Sequence, residues 1–214
     1  IVELCSKRLP ASYGYDPMKQ IQILTPMRKG ITGVNNLNTE LQKSLNPSDR
    51  NKNEKVFKDF AFREGDRVMQ TKNNYNLRWE KTGTNVSEGV GVFNGDLGII
   101  QKIDPDEQKV TVLFDDEKTV DYDYSILDEL EPAYAITIHK SQGSEFPVVI
   151  IPLFQGPQIL LTRNLLYTAI TRAKNLVILV GYQRVLADMV ENERETLRHT
   201  GLLEKLRKGF AGIF

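Results

Sequence analysis

The chain has 214 residues, of which 40% are hydrophobic and 26% charged, and this balance is typical of a globular protein with a sizeable core. Its 28 basic residues equal its 28 acidic residues, so net charge gives no argument for nucleic-acid binding, and any such contact has to depend on local arrangement. No apolar run approaches the roughly 20 residues needed to cross a bilayer, and we expect a cytoplasmic protein without membrane contact. The single cysteine, Cys5, is predicted to be a small buried apolar residue.

The first quarter of the chain has an α/β pattern. Apolar residues at helical spacing predict a short helix over residues 1–8 that ends at Pro10. Residues 21–24 are an apolar run too short for a helix, which predicts a buried strand. Leucines at three- and four-residue spacing then predict an amphipathic helix up to Leu45. The polar stretch at residues 48–55 is interpreted as a solvated connection.

From about Glu64, short β-type runs divided by turn residues replace the helical pattern. The strand-like runs are residues 66–71, 110–114 and 119–122, and the turn signals are residues 94–95, 104–106 and 115–116. Several short strands at this spacing predict a small β-barrel. Between them, residues 72–91 are polar, contain Tyr75 and Trp79, and are longer than a hairpin requires, so they are predicted to be a protruding or mobile loop.

After Pro132 the alternating pattern of strands and helices returns. The predicted strands are residues 133–136, 147–152 and 175–180, and the predicted helix is residues 163–174. This order predicts a parallel sheet covered on both faces. Residues 186–190 and 202–206 are expected to add helices, and residues 209–214 are expected to fray. We therefore predict one α/β domain, residues 1–63 and 132–214, interrupted by a β insertion at residues 64–131.

A polar segment follows the predicted strand that ends at Ile136. It includes Thr137, His139, Ser141 and Gly143, and it is expected at the carboxyl end of a strand, where open α/β sheets bind ligands. Gly143 has no Cβ and would let phosphate oxygens approach the backbone. A strand-to-helix turn capped by hydroxyls explains the same residue types, and a lone histidine is most often structural. The residue types alone favour this structural explanation.

A second polar segment lies on the predicted helix at residues 163–174. Arg172 is expected in its last turn, where the helix dipole favours a positive charge, so a structural role stays open. Beside a nucleotide, Arg172 would be placed to act as an arginine finger that stabilises charge on the γ-phosphate oxygens. Lys174 at the helix end has an adequate explanation as a solvated side chain.

The two segments together resemble a known family. TIHKSQGSEF at residues 137–146 and LLYTAITRAKNLVILVG at residues 165–181 are similar, in order and spacing, to motifs V and VI of superfamily-one DNA helicases. The glutamine-containing form of the first motif resembles the RecD-like branch, and residues 21–27, 65–70 and 94–98 do as well. The resemblance implies a RecA-like parallel-sheet domain interrupted by a small SH3-like β-barrel, and translocation from 5′ to 3′.

The resemblance also implies roles for individual residues. Arg172 would be the catalytic arginine and would bind the nucleotide together with Gly143 and Glu145. The residues expected to contact single-stranded DNA are Thr25, Thr137, His139 and Ser141. Tyr75 and Trp79 could stack on bases or pack within the barrel. No metal-binding residue is assigned.

The sequence lacks a G-x-x-x-x-G-K-[ST] loop, and it lacks an apolar strand that ends in an acidic pair followed by a switch glutamine or arginine. The resemblance implies that ATP and Mg²⁺ are bound mainly by an upstream RecA-like domain of the same chain. The chain starts at Ile1 rather than methionine, which we interpret as a sign of a longer protein. We expect the intact protein to hydrolyse ATP and this part alone to be inactive.

The function implied by the resemblance is that of the C-terminal motor domain of an ATP-dependent DNA helicase. Two alternatives stay open at this point. The chain could be a non-motor nucleic-acid-binding or assembly module of a helicase–nuclease or relaxase complex. It could also be an unrelated nucleotide-binding α/β protein whose β insertion binds another protein.

Overall fold

A computed structural model describes residues 1–81, 87–115 and 117–193, together with Leu206. Their strands form a four-stranded parallel sheet, a seven-stranded antiparallel sheet and a two-stranded hairpin. In this part of the chain, no helix is both long and apolar enough to cross a membrane. The helix predicted at residues 202–206 and the frayed end at residues 209–214 lie outside the described residues, apart from Leu206.

The described helices are α1 Leu9–Tyr13, α2 Val34–Leu45, α3 Arg163–Ile170 and α4 Gln183–Glu191. A π-helical turn, Leu4–Arg8, precedes α1, and 3-10 turns occur at Tyr124–Glu129, Ile138–Ser141 and Gln158–Leu160. The strands are β1 Ile21–Thr25, β2 Glu54–Phe57, β3 Phe60–Arg63, β4 Arg67–Gln70, β5 Asn74–Lys81, β6 Ser87–Val92, β7 Leu97–Asp104, β8 Lys109–Phe114, β9 Lys118–Asp123, β10 Leu130–Pro132, β11 Ala135–Thr137, β12 Phe146–Leu153 and β13 Ala173–Gly181.

The parallel sheet has the strand order β11-β1-β12-β13. Ile23 of β1 lies between Ala135 of β11 and Ile150 of β12, and all neighbouring strands are parallel. Alternate residues of β12 point to opposite faces. Ile150 packs in a cluster with α1 and α2, whereas Val149 packs in a cluster with α3 and α4. The predicted parallel sheet with both faces covered is therefore confirmed.

Of the two helices before the insertion, α2 agrees with its prediction and α1 differs from its prediction. The helix α2 is confirmed, and its residues Leu37 and Leu41 are buried one turn apart. The predicted helix end at Pro10 is wrong, because the π-helical turn runs into α1, which ends at Tyr13 with Gly14 as its C-cap. Pro10 directly follows the π-helical turn, so it lies at an irregular point of the helical hydrogen-bond ladder. Cys5 is buried as predicted, and burial raises the pKa of its thiol to about 12.

The antiparallel sheet has the strand order β10-β4-β7-β8-β9-β5-β6 and lies in the chain between α2 and β11. Its core includes Val68, Ile100, Val112 and Tyr122, all almost completely buried. These side chains alternate with more exposed residues along β7 and β8, as expected for a sheet with one face in a core. An antiparallel β unit, called the barrel below, therefore interrupts the α/β domain, as predicted.

Two segments predicted as loops contain strands. Residues 48–55 include the start of β2, which pairs with β3 in a hairpin. Residues 72–91 include β5 and most of β6, which pair with each other, and β5 also pairs with β9. Trp79 packs on the barrel core, and the amine of Lys118 lies 5.4 Å from the centre of its ring. The polar composition of both segments hid these strands, and the pairing of β5 with β9, 39 residues away at Glu80 and Thr119, could not be seen locally.

A buried carboxylate, Asp66, connects the barrel with the α/β domain. It accepts hydrogen bonds from side chains of α2 and its cap, Gln42 and Asn46, at 2.6 and 2.7 Å. The Tyr134 hydroxyl and the backbone N–H of Arg63 donate at 2.8 Å each. Burial raises the pKa of Asp66, and these hydrogen bonds oppose the rise. Every donor would lose a buried partner if Asp66 were removed.

A buried cation, Arg67, makes a second connection. Its Nη1 donates to the backbone oxygen of Ile21 at 2.8 Å, and its guanidinium lies 6.0 Å from the ring centre of Phe146. Burial lowers the pKa of Arg67 to about 10, so the side chain stays charged at neutral pH. The start of the barrel is thus fixed to the beginnings of β1 and β12.

Candidate nucleotide and nucleic-acid sites

The residues predicted to form a site lie at two opposite edges of the parallel sheet. Thr25 and Thr137 end β1 and β11 as register partners, which places them at the carboxyl edge. Glu145 directly precedes β12, and Arg172 directly precedes β13, which places both at the amino edge. The 8 residues of β12 span roughly 25 Å from one edge to the other at about 3.3 Å per residue.

This arrangement corrects the prediction that the whole polar segment lies at the carboxyl end of a strand. Because β12 is parallel to β11, the chain has to return to the amino edge before β12 begins. Residues 138–145 make this return along the face that α3 covers, with Ile138 buried in the same cluster as Leu166 and Ala169. Gly143 therefore lies on the amino side, with the beginnings of the strands.

The segment that contains Arg172 also differs from its prediction. The helix α3 ends at Ile170 and β13 begins at Ala173, so Arg172 lies in the turn between them and Lys174 lies in a strand. The predicted helix at residues 163–174 is thus too long. Ala173 is the register partner of Phe146, and this strand pairing ends the helix earlier than local propensity suggests.

Arg172 joins the two motifs through its backbone and its side chain. Its backbone oxygen accepts a hydrogen bond from the Phe146 N–H at 2.8 Å. Its Nη1 donates to the Ser144 oxygen, its Nε to the Thr168 oxygen and its Nη2 to the Thr171 hydroxyl, each at 3.3 Å. These three distances are long for hydrogen bonds, so the half-buried guanidinium is positioned but only weakly held.

Gly143 and Glu145 complete the group at the amino edge. Gly143 has a φ of +88°, which favours glycine, and a Cβ built there would meet no atom within 4 Å. The carboxylate of Glu145 is exposed and lies 3.3 Å from the amine of Lys174. A guanidinium beside an open glycine backbone fits the phosphate groups of a nucleotide. Across the described ranges, no three His, Cys, Asp or Glu side chains gather to hold a metal ion.

At the carboxyl edge, two of the four residues predicted to contact DNA are accessible. His139 is exposed and Thr137 is half-buried. Thr25 and Ser141 are buried, and their hydroxyls donate to the backbone oxygens of Thr32 at 2.8 Å and Ile138 at 2.7 Å. This burial argues against direct contact of the Thr25 and Ser141 side chains with DNA. They stabilise the loops that present their neighbours.

Sequence reasoning missed an ion-pair cluster at the same edge. Both oxygens of Glu131 lie 2.8 Å from Nη2 of Arg28, and Lys140 also donates to Glu131 at 2.8 Å. Burial raises the pKa of Glu131, but the hydrogen bond and charge of Lys140, and then Arg28, bring it below its ordinary value. Glu131 comes from the last strand of the barrel, 103 residues from Arg28, so no local pattern could reveal the cluster.

Two family models match the chain in succession. The model of the ATP-dependent RecD-like DNA helicase SH3 domain matches residues 37–114. The model of the UvrD-like helicase C-terminal domain matches residues 132–180. The first match includes most of α2 and most of the barrel, and the second includes both polar segments described above.

Curated relatives are similar over most of the chain. The ATP-dependent RecD2 DNA helicase of Deinococcus radiodurans is 36% identical over 187 residues, which are 87% of this chain and 23% of that protein. The RecBCD enzyme subunit RecD of Mycolicibacterium smegmatis is 31% identical over 186 residues, which are 87% of this chain and 29% of that protein. The chain thus spans less than a third of the length of each of these relatives.

Solved structures show the same fold. A crystal structure of Pif1 helicase from Bacteroides with ADP-AlF3 and single-stranded DNA matches 98% of this chain and 48% of that chain, with a TM-score of 0.54 and 20% identity. A crystal structure of Bacteroides Pif1 bound to single-stranded DNA matches 99% of this chain and 50% of that chain, with a TM-score of 0.53 and 17% identity. The RecA-like sheet with an SH3-like insertion is therefore confirmed. The chain belongs to the RecD-like helicases, in which it corresponds to the C-terminal region with the SH3 domain and the UvrD-like C-terminal domain.

Proposed function

We propose that this chain is the C-terminal motor domain of an ATP-dependent DNA helicase that moves 5′ to 3′ along single-stranded DNA in the cytoplasm. We assign residues 1–63 and 132–214 to the second RecA-like domain of the motor and residues 64–131 to its barrel insertion. The relative from Deinococcus radiodurans is named as an ATP-dependent DNA helicase, which supports the proposed activity. The intact protein is expected to be active, and this region alone is expected to be inactive.

One observation carries the proposal. A single segment, residues 137–146, runs from the carboxyl edge of the sheet to the amino edge and is packed against α3 on the way. At its first end it presents Thr137 and His139, and at its other end it meets Arg172. A motor has to couple a nucleotide to a grip on DNA, and this segment connects both sites directly.

At the amino edge, Arg172 is the proposed arginine finger, and Gly143 and Glu145 are the proposed nucleotide contacts. ATP, with Mg²⁺, supplies the phosphoryl group whose transfer drives the motor, and both are held mainly by an upstream RecA-like domain of the same protein. The Arg172 guanidinium stabilises the charge that spreads over the γ-phosphate oxygens. The backbone at Gly143 approaches the phosphates closely because no side chain stands in the way.

At the carboxyl edge, Thr137 and His139 are the proposed contacts to the phosphate backbone of single-stranded DNA. A hydroxyl and an imidazole N–H both donate to phosphate oxygens without reading the base sequence. Thr25 and Ser141 keep the shape of this edge through their internal hydrogen bonds. Closure of the site around the nucleotide at one edge would thus change the grip on DNA at the other.

Two substitutions in the full-length protein test this division of roles. We expect His139→Ala to raise, by several-fold, the DNA concentration that gives half-maximal ATP hydrolysis, with the KM for ATP unchanged. We expect Glu145→Gln to raise the KM for ATP with the DNA requirement unchanged. Both side chains are exposed, so neither change should lower the melting temperature. Steady-state ATPase assays at varied oligo(dT) and varied ATP separate the two constants. A shift of the same constant by both substitutions would contradict the proposed division.

A further inference from the structure

Three charged side chains from three parts of the chain meet at the carboxyl edge. Arg28 lies in the loop after β1, Glu131 lies in β10 of the barrel, and Lys140 lies in the 3-10 turn Ile138–Ser141. Glu131 Oε2 is within 2.8 Å of both Arg28 Nη2 and Lys140 Nζ. One carboxylate of the barrel therefore bridges cations from the two loops that follow Thr25 and Thr137.

The cluster keeps an excess of positive charge and of hydrogen-bond donors. Two cations and one carboxylate leave a net charge of +1 on these three side chains. Glu131 uses only Nη2 of Arg28, and no other described residue accepts a hydrogen bond from the remaining nitrogens of that guanidinium. The Arg28 side chain is 55% exposed and that of Lys140 is 25% exposed, so spare donors are accessible to an anion from solvent.

A phosphate group could occupy the place of the Glu131 carboxylate between Arg28 and Lys140. A carboxylate that accepts charge-assisted hydrogen bonds from an arginine and a lysine satisfies them as phosphate oxygens do. Arg28 and Lys140 lie beside Thr137 and His139, at the edge where DNA contact is proposed. Glu131 is 37% exposed, so it can turn to water when another anion takes its place.

We propose that Glu131 is an internal phosphate mimic, which holds Arg28 and Lys140 ready for a backbone phosphate of single-stranded DNA and competes with that phosphate for them. This inference rests on the proposed function. It makes Arg28 and Lys140 a phosphate-binding pair at the carboxyl edge and gives the barrel a role in setting DNA affinity. The competing carboxylate weakens the grip on the strand and favours its release during translocation.

Binding of the full-length protein to fluorescent oligo(dT) at several NaCl concentrations tests the proposal. We expect Glu131→Gln, which keeps the shape but removes the charge, to tighten binding several-fold at low salt. We also expect the plot of log K against log[NaCl] to steepen, because more counterions are released when the cations are fully available to DNA. Arg28→Gln and Lys140→Gln should each weaken binding and reduce the slope by about one.

Glu117→Gln is the matched control. Glu117 is also an exposed barrel carboxylate paired with a lysine, Lys81, but it lies between β8 and β9. Its substitution changes the net charge by the same amount but leaves the pairs of Glu131 with Arg28 and Lys140 intact, so unchanged oligo(dT) binding is expected. Equal tightening in both glutamine variants would overturn the proposal, because it would reflect net charge alone.

Coupling between the two sides of the ion pair gives a second, independent measurement. Arg28→Gln should cost more affinity in the Glu131→Gln background than in the wild type, because the mimic no longer neutralises part of the arginine charge. Unchanged or weaker binding of Glu131→Gln, or an unchanged slope for Arg28→Gln, would overturn the proposal while the proposed function stands. A wild-type protein that does not bind oligo(dT) would instead overturn the proposed function.

Discussion

Replacing Arg172 with alanine in the full-length protein is expected to lower the kcat of DNA-stimulated ATP hydrolysis by about 10³-fold or more. The guanidinium is positioned at the amino edge by three hydrogen bonds of 3.3 Å, and it would stabilise negative charge that grows during phosphoryl transfer. Loss of a group that acts mainly in the transition state lowers kcat more than it raises KM. Steady-state assays at saturating oligo(dT) measure both constants.

Three comparisons separate this catalytic effect from a structural one. The contacts of Arg172 are long and partly exposed, so the melting temperature of the Arg172→Ala variant should change little. Arg172→Lys keeps a positive charge but loses the planar guanidinium with its paired N–H donors, so its kcat should stay well below that of the wild type. Lys174→Ala removes an exposed cation of the same edge and should change kcat only a few-fold. ATP hydrolysis near the wild-type rate in Arg172→Ala would exclude the arginine-finger role.

Replacing Asp66 with alanine is expected to destabilise the region by about 3–5 kcal/mol. The buried Tyr134 hydroxyl would lose its acceptor, and the amides of Gln42 and Asn46 would each lose one of their two acceptors. This loss corresponds to a fall of roughly 10 °C in melting temperature for a unit of this size. Thermal unfolding of the full-length protein, followed by circular dichroism and calorimetry, should show the first transition move to lower temperature.

Asp121→Ala is a suitable control for that experiment. Asp121 is an exposed aspartate of β9 that accepts one hydrogen bond, from the Thr111 hydroxyl at 2.7 Å. Its loss should cost less than about 1 kcal/mol, because water replaces the partner. Equal melting temperatures for the two alanine variants would mean that Asp66 does not hold the barrel to the α/β domain.

Local patterns predicted those elements whose signal lies within one stretch of chain. The strands β1, β12 and β13 are continuous apolar runs, and α2 has leucines one helical turn apart. Each motif is one continuous stretch of chain, so the sequence could propose residues for the candidate site, and their roles stay predictions. The edge of the sheet at which each residue lies could not be predicted from the sequence, because it depends on the direction of strands that are brought together only by folding.

The remaining errors have the same physical origin. The strand β5 pairs with β6 and, at Glu80 and Lys81, also with β9, and Arg172 leaves the helix because Ala173 pairs with Phe146 of β12. Glu131 could not be recognised, since Arg28 and Lys140 reach it from two different loops. In each case tertiary contacts outweigh the local preference of the sequence.

Unwinding by the full-length protein tests the proposed motor function most directly. Two labelled duplexes of the same sequence are needed, one with a 5′ single-stranded tail and one with a 3′ tail, and strand displacement is followed with and without ATP. We expect displacement from the 5′-tailed duplex only when ATP is present, and none from the 3′-tailed duplex. A folded protein that binds both tails and displaces neither strand, or only the 3′-tailed one, would contradict a 5′ to 3′ motor.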